Sequence, residues 1–286
     1  MSGVKPDLRR ITGPNFPCFP PRRLCVFLVT MKLLVTNDDG IESVFLHELV
    51  SALVRAGHEV NVVAPVTEQS WTGASKTRAK PVRSAAVNRG FGCPTWMVDG
   101  TPSDCVNIAI AHLVKGPVDG VVSGINVGMN ASLGFILASG TVAGAWEAAI
   151  HGLPAVAFSQ DVTEETYNLL KERGVPGAEL AATLKISAAH AAALTPKCLN
   201  AIPKHSFTIH NVNFPAQCRP DTPLRKTVPA RLFVPGLFSP RDDDGTHRLI
   251  WCIGEDVSPP EPLSDRACLA AGLISHSILD YTKLGY

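Results

Sequence analysis

The sequence predicts a Rossmann-like α/β fold, in which a mostly parallel sheet lies between two helical layers in a three-layer α/β/α arrangement. From Met31 onward, short apolar runs alternate with stretches of helical spacing, as they do in parallel α/β proteins. The chain has 286 residues, 45% of them hydrophobic, which is enough to bury one substantial core. We therefore expect one Rossmann-type domain over residues 31–204, with a β-rich extension over residues 205–286.

The first elements of the domain predict a βαβ unit. Lys32–Thr36 has the apolar centre of a buried strand. Residues 46–56 have helical spacing and end at Gly57, which suits a helix C-cap. Residues 58–64 form the next strand, which Pro65 closes. The crossover between these two strands should be right-handed.

The middle of the chain continues the alternation after a polar excursion at residues 66–97, where we expect a long loop or hairpin. The pattern beyond it predicts helices at 104–114, 140–151 and 178–193, and buried strands at 120–123 and 154–158. Residues 205–214 then alternate as a strand, and a turn at 241–246 separates two strand-like runs. The region after residue 204 has too few apolar residues for its own core, so we expect it to pack on the main domain or on a partner subunit.

The first thirty residues differ from the rest of the chain, because they are rich in Pro and Arg and end in a short apolar run. A signal peptide is one interpretation, but the run has no small-residue cleavage site and continues into strand-like sequence at Met31. We therefore expect Met31 to be the biological start and residues 1–30 to be a disordered or mis-assigned extension. No stretch approaches the length of a membrane-spanning helix.

The net charge and the spacing of the cysteines exclude some classes of function. The formal net charge is +1, so no broad basic field favours long nucleic acid, and an anionic ligand must be held locally. The eight cysteines form no CxxC pair and no zinc-like cluster with histidine along the sequence. We expect them to be reduced packing thiols and the protein to be cytoplasmic.

Two adjacent carboxylates, Asp38 and Asp39, follow the first strand in the run Asn37-Asp38-Asp39-Gly40. Ligands of open α/β sheets bind outside the carboxyl ends of the strands, and a turn at Gly40 lets both side chains converge there. The alternative is an Asp-Gly turn in which one carboxylate caps the next helix.

Polar residues also follow two other predicted strands, namely Ser70 and, in a Gly-rich loop, Asn126 and Asn130. Parallel strands would bring them to the same sheet edge as the two aspartates. Carboxylate, hydroxyl and amide oxygens suit a hard cation such as Mg²⁺ or Mn²⁺ and disfavour zinc. Taken alone, Ser70 is equally explained as an ordinary loop serine, and Asn126 and Asn130 as turn residues of a Gly-rich loop. It is the joint placement of these residues that favours a metal site.

The run Ser139-Gly140-Thr141 precedes a helix rich in small residues. Helix N-termini expose unpaired N–H groups, and small residues there let a phosphate approach the backbone. The alternative is a plain Ser or Thr N-cap. Ser103 or Asp104 is likewise expected to cap the predicted helix at 104–114.

Five strings together resemble the SurE family of 5′/3′-nucleotidases: MKLLVTNDDG at 31–40, VVAP with Ser70 downstream, VDGTPSDCV at 98–106, VVSGINVGMN at 121–130 and SGTVAGAWEA at 139–148. The resemblance implies that Asp38, Asp39, Ser70 and Asn126 bind the metal, the two aspartates being the catalytic pair. It implies that the phosphate and substrate contacts come from Asn37, Asn130, Ser139, Gly140 and Thr141.

The same resemblance implies a phosphomonoester hydrolase acting on nucleoside 5′- and 3′-monophosphates with one divalent cation per subunit. That cation is Mg²⁺ or Mn²⁺, with Ca²⁺ as a substitute in crystals. It also implies a homodimer or homotetramer assembled through the carboxy-terminal region. Three features depart from the family pattern: Ser43-Val44-Phe45 replaces an Ala-Pro-Gly turn, Ala138 replaces an aromatic residue, and the loop between Asn130 and Ser139 is one residue longer and lacks an acidic pair.

Two other functions are compatible with parts of the sequence. The run Gly57-His58-Glu59-Val60 resembles the opening of sugar-nucleotide glycosyltransferases, but these enzymes need a second comparable domain that the chain after residue 160 is too short to supply. The other is a non-enzymatic metal and nucleotide sensor, since Ser43-Val44-Phe45 changes the turn after the acidic pair.

Overall fold

The structure is a computed structural model that describes residues 30–250, 252 and 254–283. The predicted extension at residues 1–30 therefore lies almost entirely outside the described residues. The helices are α1 Val44–Arg55, α2 Pro102–Ile108, α3 Leu133–Ala138, α4 Gly140–Ile150, α5 Glu164–Arg173, α6 Ala178–Ala201 and α7 Asp265–Ala270. The strands are β1 Lys32–Thr36, β2 Glu59–Pro65, β3 Ser84–Ala86, β4 Thr95–Val98, β5 Gly120–Val127, β6 Ala155–Gln160, β7 Thr208–Phe214, β8 Leu224–Thr227, β9 Leu232–Phe233, β10 Glu255–Asp256 and β11 Ile274–Asp280.

The central sheet has nine strands among the described residues, in the order β3-β4-β2-β1-β5-β6-β7-β11-β8. The inner strands β4, β2, β1, β5, β6 and β7 run parallel. Strand β3 is antiparallel to β4 and β11 is antiparallel to β7, whereas β8 pairs in parallel with β11. The predicted Rossmann-like fold with a mostly parallel sheet is therefore confirmed.

Helices cover both faces of this sheet, which explains the apolar centre of β1. Leu33 belongs to the core beneath α1 and α6, whereas its neighbour Leu34 belongs to the core beneath α2 and α4. Both leucines are fully buried. A strand buried on both faces has a continuous apolar run instead of an alternating one.

The region after residue 204 extends the same sheet. Strand β7 pairs in parallel with β6, β11 pairs antiparallel with β7, and β8 pairs with β11. The short pair β9 and β10 forms a separate two-stranded sheet. Strand β7 thus joins this region to the sheet of the main domain, while the domain boundary after residue 204 and the oligomerising role of the region stay predictions.

Two helices differ from the predicted boundaries. Helix α6 continues to Ala201, eight residues beyond the predicted end, with Pro196 inside it. Helix α5 was not predicted because it buries no residue and so lacks an apolar stripe. Its signals are instead at its ends, where Thr163 caps the first turn and Gly174 adopts the left-handed conformation.

The segment at 104–114 is also built differently from the prediction. Helix α2 begins at Pro102 and is capped by Thr101, whose side chain accepts from the Asp104 backbone while the Asp104 carboxylate accepts from the Thr101 backbone. This capping box makes Thr101 the N-cap, whereas we expected Ser103 or Asp104. A π-helical turn, Ala109–Leu113, continues the helix. Among the described residues, no helix is long and apolar enough to cross a membrane.

Candidate active site

The turn after β1 holds Asp38 and Asp39 at the carboxyl edge of the sheet. The Asn37 side chain donates to the Gly40 carbonyl at 2.9 Å, and the Ile41 N–H donates to the Pro65 carbonyl at 2.8 Å. Gly40 has a φ of +91°, and a Cβ there would lie 3.2 Å from a backbone carbon of the loop after β2. This position therefore requires glycine. Asn37 is a buried brace of the turn, and its Oδ1 has no hydrogen-bond partner among the described residues.

Asp38 lies against the start of α4. The Thr141 hydroxyl donates to the Asp38 carboxylate. Gly140 lies so close that a Cβ there would be 2.7 Å from the Asp38 Cβ. The Ser139 hydroxyl accepts from the Val142 N–H at 3.0 Å, which is the N-cap geometry of the alternative interpretation. The structure thus brings the predicted helix start into contact with the acidic pair.

Asp39 lies against β5. Its Oδ2 accepts from the Val127 N–H at 3.0 Å. The strand continues through Asn126 to Val127, so its predicted end at residue 123 is wrong. The pairing with β6 shifts between Ser123 and Asn126, where Gly124 has a φ of +130° and a Cβ would clash with the Phe158 carbonyl at 2.3 Å. This bulge carries Asn126 to the sheet edge.

The loop after β2 completes the near surroundings of Asp38. The Gln69 N–H donates to the Asp38 carbonyl at 2.7 Å. The next residue, Ser70, donates its hydroxyl to Glu68 Oε1 at 2.8 Å. Ser70 therefore follows Gln69, whose N–H is hydrogen-bonded to Asp38. The hydroxyl of Ser70 is hydrogen-bonded to the carboxylate of Glu68. Sequence reasoning missed Glu68, although an acid two residues before Ser70 was a usable signal.

The carboxylates of this site repel one another. Burial raises the pKa of Asp38, and the Thr141 hydrogen bond partly offsets that shift. Burial and then the charge of Asp38 raise the pKa of Asp39 well above its usual value, with Glu68 adding to both shifts. Asp39 is partly exposed, although enough protein surrounds its carboxylate to desolvate it. None of the ion pairs among the described residues involves Asp38 or Asp39.

Asn130 is anchored on the far side of the site. Its N–H donates to Asn213 Oδ1 at 2.7 Å, and its carbonyl accepts from the Asn211 amide at 2.9 Å. Its own amide donates to Ser159 Oγ at 2.8 Å. Its hydrogen bonds therefore go to β6 and β7, not to the two aspartates. Sequence reasoning missed Asn211 and Asn213, whose signal was two asparagines alternating within a strand.

A family model for the survival protein SurE matches residues 33–232 of the chain. The chain belongs to the SurE family. Its relative from Solidesulfovibrio magneticus, named 5′-nucleotidase SurE, is 38% identical over 250 residues, which cover 86% of this chain and 89% of the relative. A relative of the same name from Nostoc sp. is 35% identical over 264 residues, 90% of this chain and 93% of the relative.

Solved structures agree with this assignment. The crystal structure of the SurE protein from Aquifex aeolicus matches with a TM-score of 0.63 at 28% identity, covering 87% of this chain and 93% of that one. The resemblance to the SurE family predicted from the sequence is therefore confirmed.

The structure shows where two departures from the SurE family pattern lie, namely those at Phe45 and Ala138. Helix α1 begins at Val44, and Phe45 is fully buried in the core beneath α1 and α6. The Ala138 carbonyl accepts from the Gly73 N–H at 2.9 Å, so it joins α3 to the loop that follows β2. Phe45 thus contributes to the core.

Proposed function

We propose that this chain releases phosphate from nucleoside 5′-monophosphates, and also from 3′-monophosphates, with one divalent cation per subunit. The observation that carries the proposal is a desolvated carboxylate pair without an ion-pair partner among the described residues, beside the start of a helix at the carboxyl edge of a parallel sheet. Membership of the SurE family and the name of its relatives, 5′-nucleotidase SurE, support a nucleotidase of the phosphomonoesterase class.

The residues present fit a hard divalent cation. Asp38, Asp39 and Asn126 would hold it, with Ser70 as the fourth protein ligand. The hydrogen bonds of the Asn126 side chain are donated by Nδ2, to the carbonyls of Val127 and Gly128, so its oxygen is the atom available to a cation. Two or three neighbouring carboxylates that repel one another are stabilised when a cation is added. When bound, the cation polarises the phosphoryl group and lowers the pKa of water.

The other roles in the reaction are assigned to protein side chains and to the backbone. Thr141 fixes the orientation of Asp38, and the Val127 N–H fixes that of Asp39. We propose that the two aspartates orient the attacking water. The backbone at Ser139–Gly140–Thr141 and the side chain of Asn130 are the proposed contacts of the phosphate oxygens. We expect no covalent phosphoenzyme, because both carboxylates are committed to the cation.

A phosphate-release screen tests the proposal. The purified full chain is assayed with 5′- and 3′-monophosphates of each nucleoside, with Mg²⁺, with Mn²⁺ and after chelation. We expect cation-dependent release of inorganic phosphate from at least one 5′-monophosphate. Binding of nucleotide without release would support the sensor instead, and sugar transfer from a nucleotide-sugar donor would support the glycosyltransferase.

Thr141→Val should lower phosphate release because the Asp38 carboxylate loses its hydroxyl donor at a fully buried position. We expect a loss of about 10–100-fold, the equivalent of one charge-assisted hydrogen bond. Thr141→Ser keeps the hydroxyl and is the matched control, so it should retain most of the activity. Equal rates for the Val and Ser variants would contradict a positioning role for this hydroxyl.

Self-association is also proposed, as a homodimer or homotetramer. The segment around β9 and β10 exposes large apolar side chains, among them Phe233 at 70% and Phe238 at 62%. Exposed apolar residues concentrated on one segment are typical of interaction surfaces.

The cytoplasmic location stays a prediction, and the six described cysteines are free thiols, as expected for a reducing compartment.

A further inference from the structure

We propose that Cys198, His210 and His276 form a second metal site, selective for zinc or another thiophilic cation and separate from the acidic pair. These three residues, called here the Cys198 cluster, come from α6, β7 and β11. One ligand atom of each, a thiol sulfur and two ring nitrogens, lies within 4.8 Å of the others. No local pattern indicates the site, because 12 and 66 residues separate the successive members. Antiparallel pairing of β7 with β11 brings the two histidines together, and α6 supplies Cys198.

The strand register places the two histidines on one face of the sheet. His276 pairs with Val212, and His210 pairs with Ile278, so the two rings are diagonal neighbours. His210 Nδ1 and His276 Nε2 are 2.5 Å apart, and the rings are stacked with their centroids at 4.7 Å. Two neutral imidazoles can satisfy this contact only when one of them donates.

The interior of the cluster is buried and incompletely paired. His210 is 2% exposed and Cys198 is 3% exposed. His210 Nε2 is buried and makes no hydrogen bond of good geometry among the described residues, although the His210 ring interacts with the nearby Cys198 backbone. Burial lowers the pKa of His210 to about 4, and burial also lowers that of His276, so both rings are neutral, as ligands must be.

The donor chemistry separates this site from the acidic pair. Nitrogen and thiolate donors suit zinc, whereas the oxygen donors around Asp38 suit Mg²⁺ or Mn²⁺. Tetrahedral zinc with these donors places its ligand atoms about 3.3–3.6 Å apart, so the cluster needs only a small rearrangement. Binding converts the Cys198 thiol to a thiolate and releases its proton to solvent. The fourth position would be taken by water.

Burial of the thiol and the charge of one lysine limit the affinity. Burial raises the pKa of Cys198 to about 12, which disfavours the thiolate, although the charge of Lys197 partly offsets that shift. Lys226 pairs with His276 in the sheet. The charge of Lys226 contributes to the lowered pKa of His276, so it faces the cluster closely enough to repel a cation. We therefore expect weaker binding than at a structural zinc site with four protein ligands.

A bound ion would join the end of α6 to the last two long strands. The opposite face of β7 carries Asn211 and Asn213, which hold Asn130. The Cys198 cluster thus lies directly behind the strand that anchors one wall of the candidate active site. Its expected role is to stabilise the fold there, independently of the hydrolytic reaction.

Cobalt binding tests this site, because thiolate-to-Co²⁺ charge transfer gives an ultraviolet band that oxygen ligands do not give. The full chain is treated with a chelator and titrated with Co²⁺ alone, then with Zn²⁺ as competitor. We expect one thiolate-bound ion per chain, displaced by zinc. Cys198→Ser and His276→Gln should each weaken zinc binding by about 100-fold or more, since even outer-shell partners cost 10–100-fold.

Cys218→Ser is the matched control, because Cys218 is also 3% exposed and packs in the same core. It should keep the cobalt band, and so should Asp39→Asn, which alters only the acidic pair. Saturating zinc should raise the Tm of the wild type by about 5–10 °C and raise that of Cys198→Ser much less. A metal-free Tm near or above the wild-type value verifies that each variant is folded. A wild type without the band, a band that survives Cys198→Ser, or one that Cys218→Ser removes would overturn the proposal.

Discussion

Replacing Asp39 with asparagine is expected to abolish phosphate release while making the metal-free protein more stable. The activity should fall by about 10³-fold or more, the equivalent of about 4 kcal/mol of transition-state stabilisation, because a cation ligand and a charge are both lost. The stability should rise because burial and the neighbouring Asp38 charge disfavour the ionised Asp39 carboxylate. Asparagine keeps the size of the side chain and an oxygen that can accept from the Val127 N–H.

The sign of the stability effect follows from proton binding. The pKa values of Asp38 and Asp39 are higher in the folded protein than in the unfolded chain. Between the unfolded and the folded values, the folded state binds more protons, so the metal-free wild type loses stability as pH rises through that interval. Asp39→Asn removes part of this loss of stability. Each kcal/mol of unfolding free energy that the variant regains at neutral pH should raise its Tm by about 2–4 °C.

Thermal unfolding with and without cation measures both effects of Asp39→Asn. Mn²⁺ or Mg²⁺ should raise the Tm of the wild type and have much less effect on the variant, since only the folded wild type binds the ion tightly. Asp119→Asn is the control, because Asp119 is an exposed aspartate at the opposite end of β5, where it accepts from the Lys32 N–H at 2.7 Å. Asp39→Asn protein that still hydrolyses AMP at the wild-type rate would disprove the proposed role of this carboxylate.

The sequence predicted those parts of the fold where local pattern and tertiary burial agree. Strand β1 and helix α1 are examples, because their apolar residues face the cores that cover them. Helix α5 was missed since it packs no residue into a core, and its capping signals are weaker than periodicity. The end of β5 was misplaced because Gly124 interrupts the apolar run, whereas the strand continues through a bulge.

The candidate site was predictable where its residues are contiguous at a strand end, and less so where pairing decides the contacts. Asp38 and Asp39 follow β1 directly, and parallel strands bring Asn126 to the same edge. The contacts of Asn130 depend on β7, whose position beside β6 is fixed by tertiary pairing. Local sequence has no signal for the sheet position of a strand that lies about 80 residues away.

Gly140→Ala is expected to lower phosphate release by about 100-fold, because the start of α4 would have to move away from Asp38. A Cβ at this position would lie 2.7 Å from the Asp38 Cβ and 3.1 Å from the Gln69 carbonyl oxygen. Neither neighbour can yield easily, since one is the first side-chain carbon of a buried residue and the other is backbone. We expect a stability loss of about 1–3 kcal/mol from overpacking.

Gly134→Ala is the control for this effect, because a Cβ at Gly134 in α3 meets nothing within 4 Å. It should keep full activity and gain up to about 1 kcal/mol of stability through helix propensity. Urea unfolding and AMP hydrolysis measured on both variants separate the steric effect from the general effect of replacing a helical glycine. If Gly140→Ala hydrolyses AMP as fast as Gly134→Ala, then close contact between α4 and the acidic pair is not required for the reaction. The phosphate would then have to be bound by groups other than this helix start.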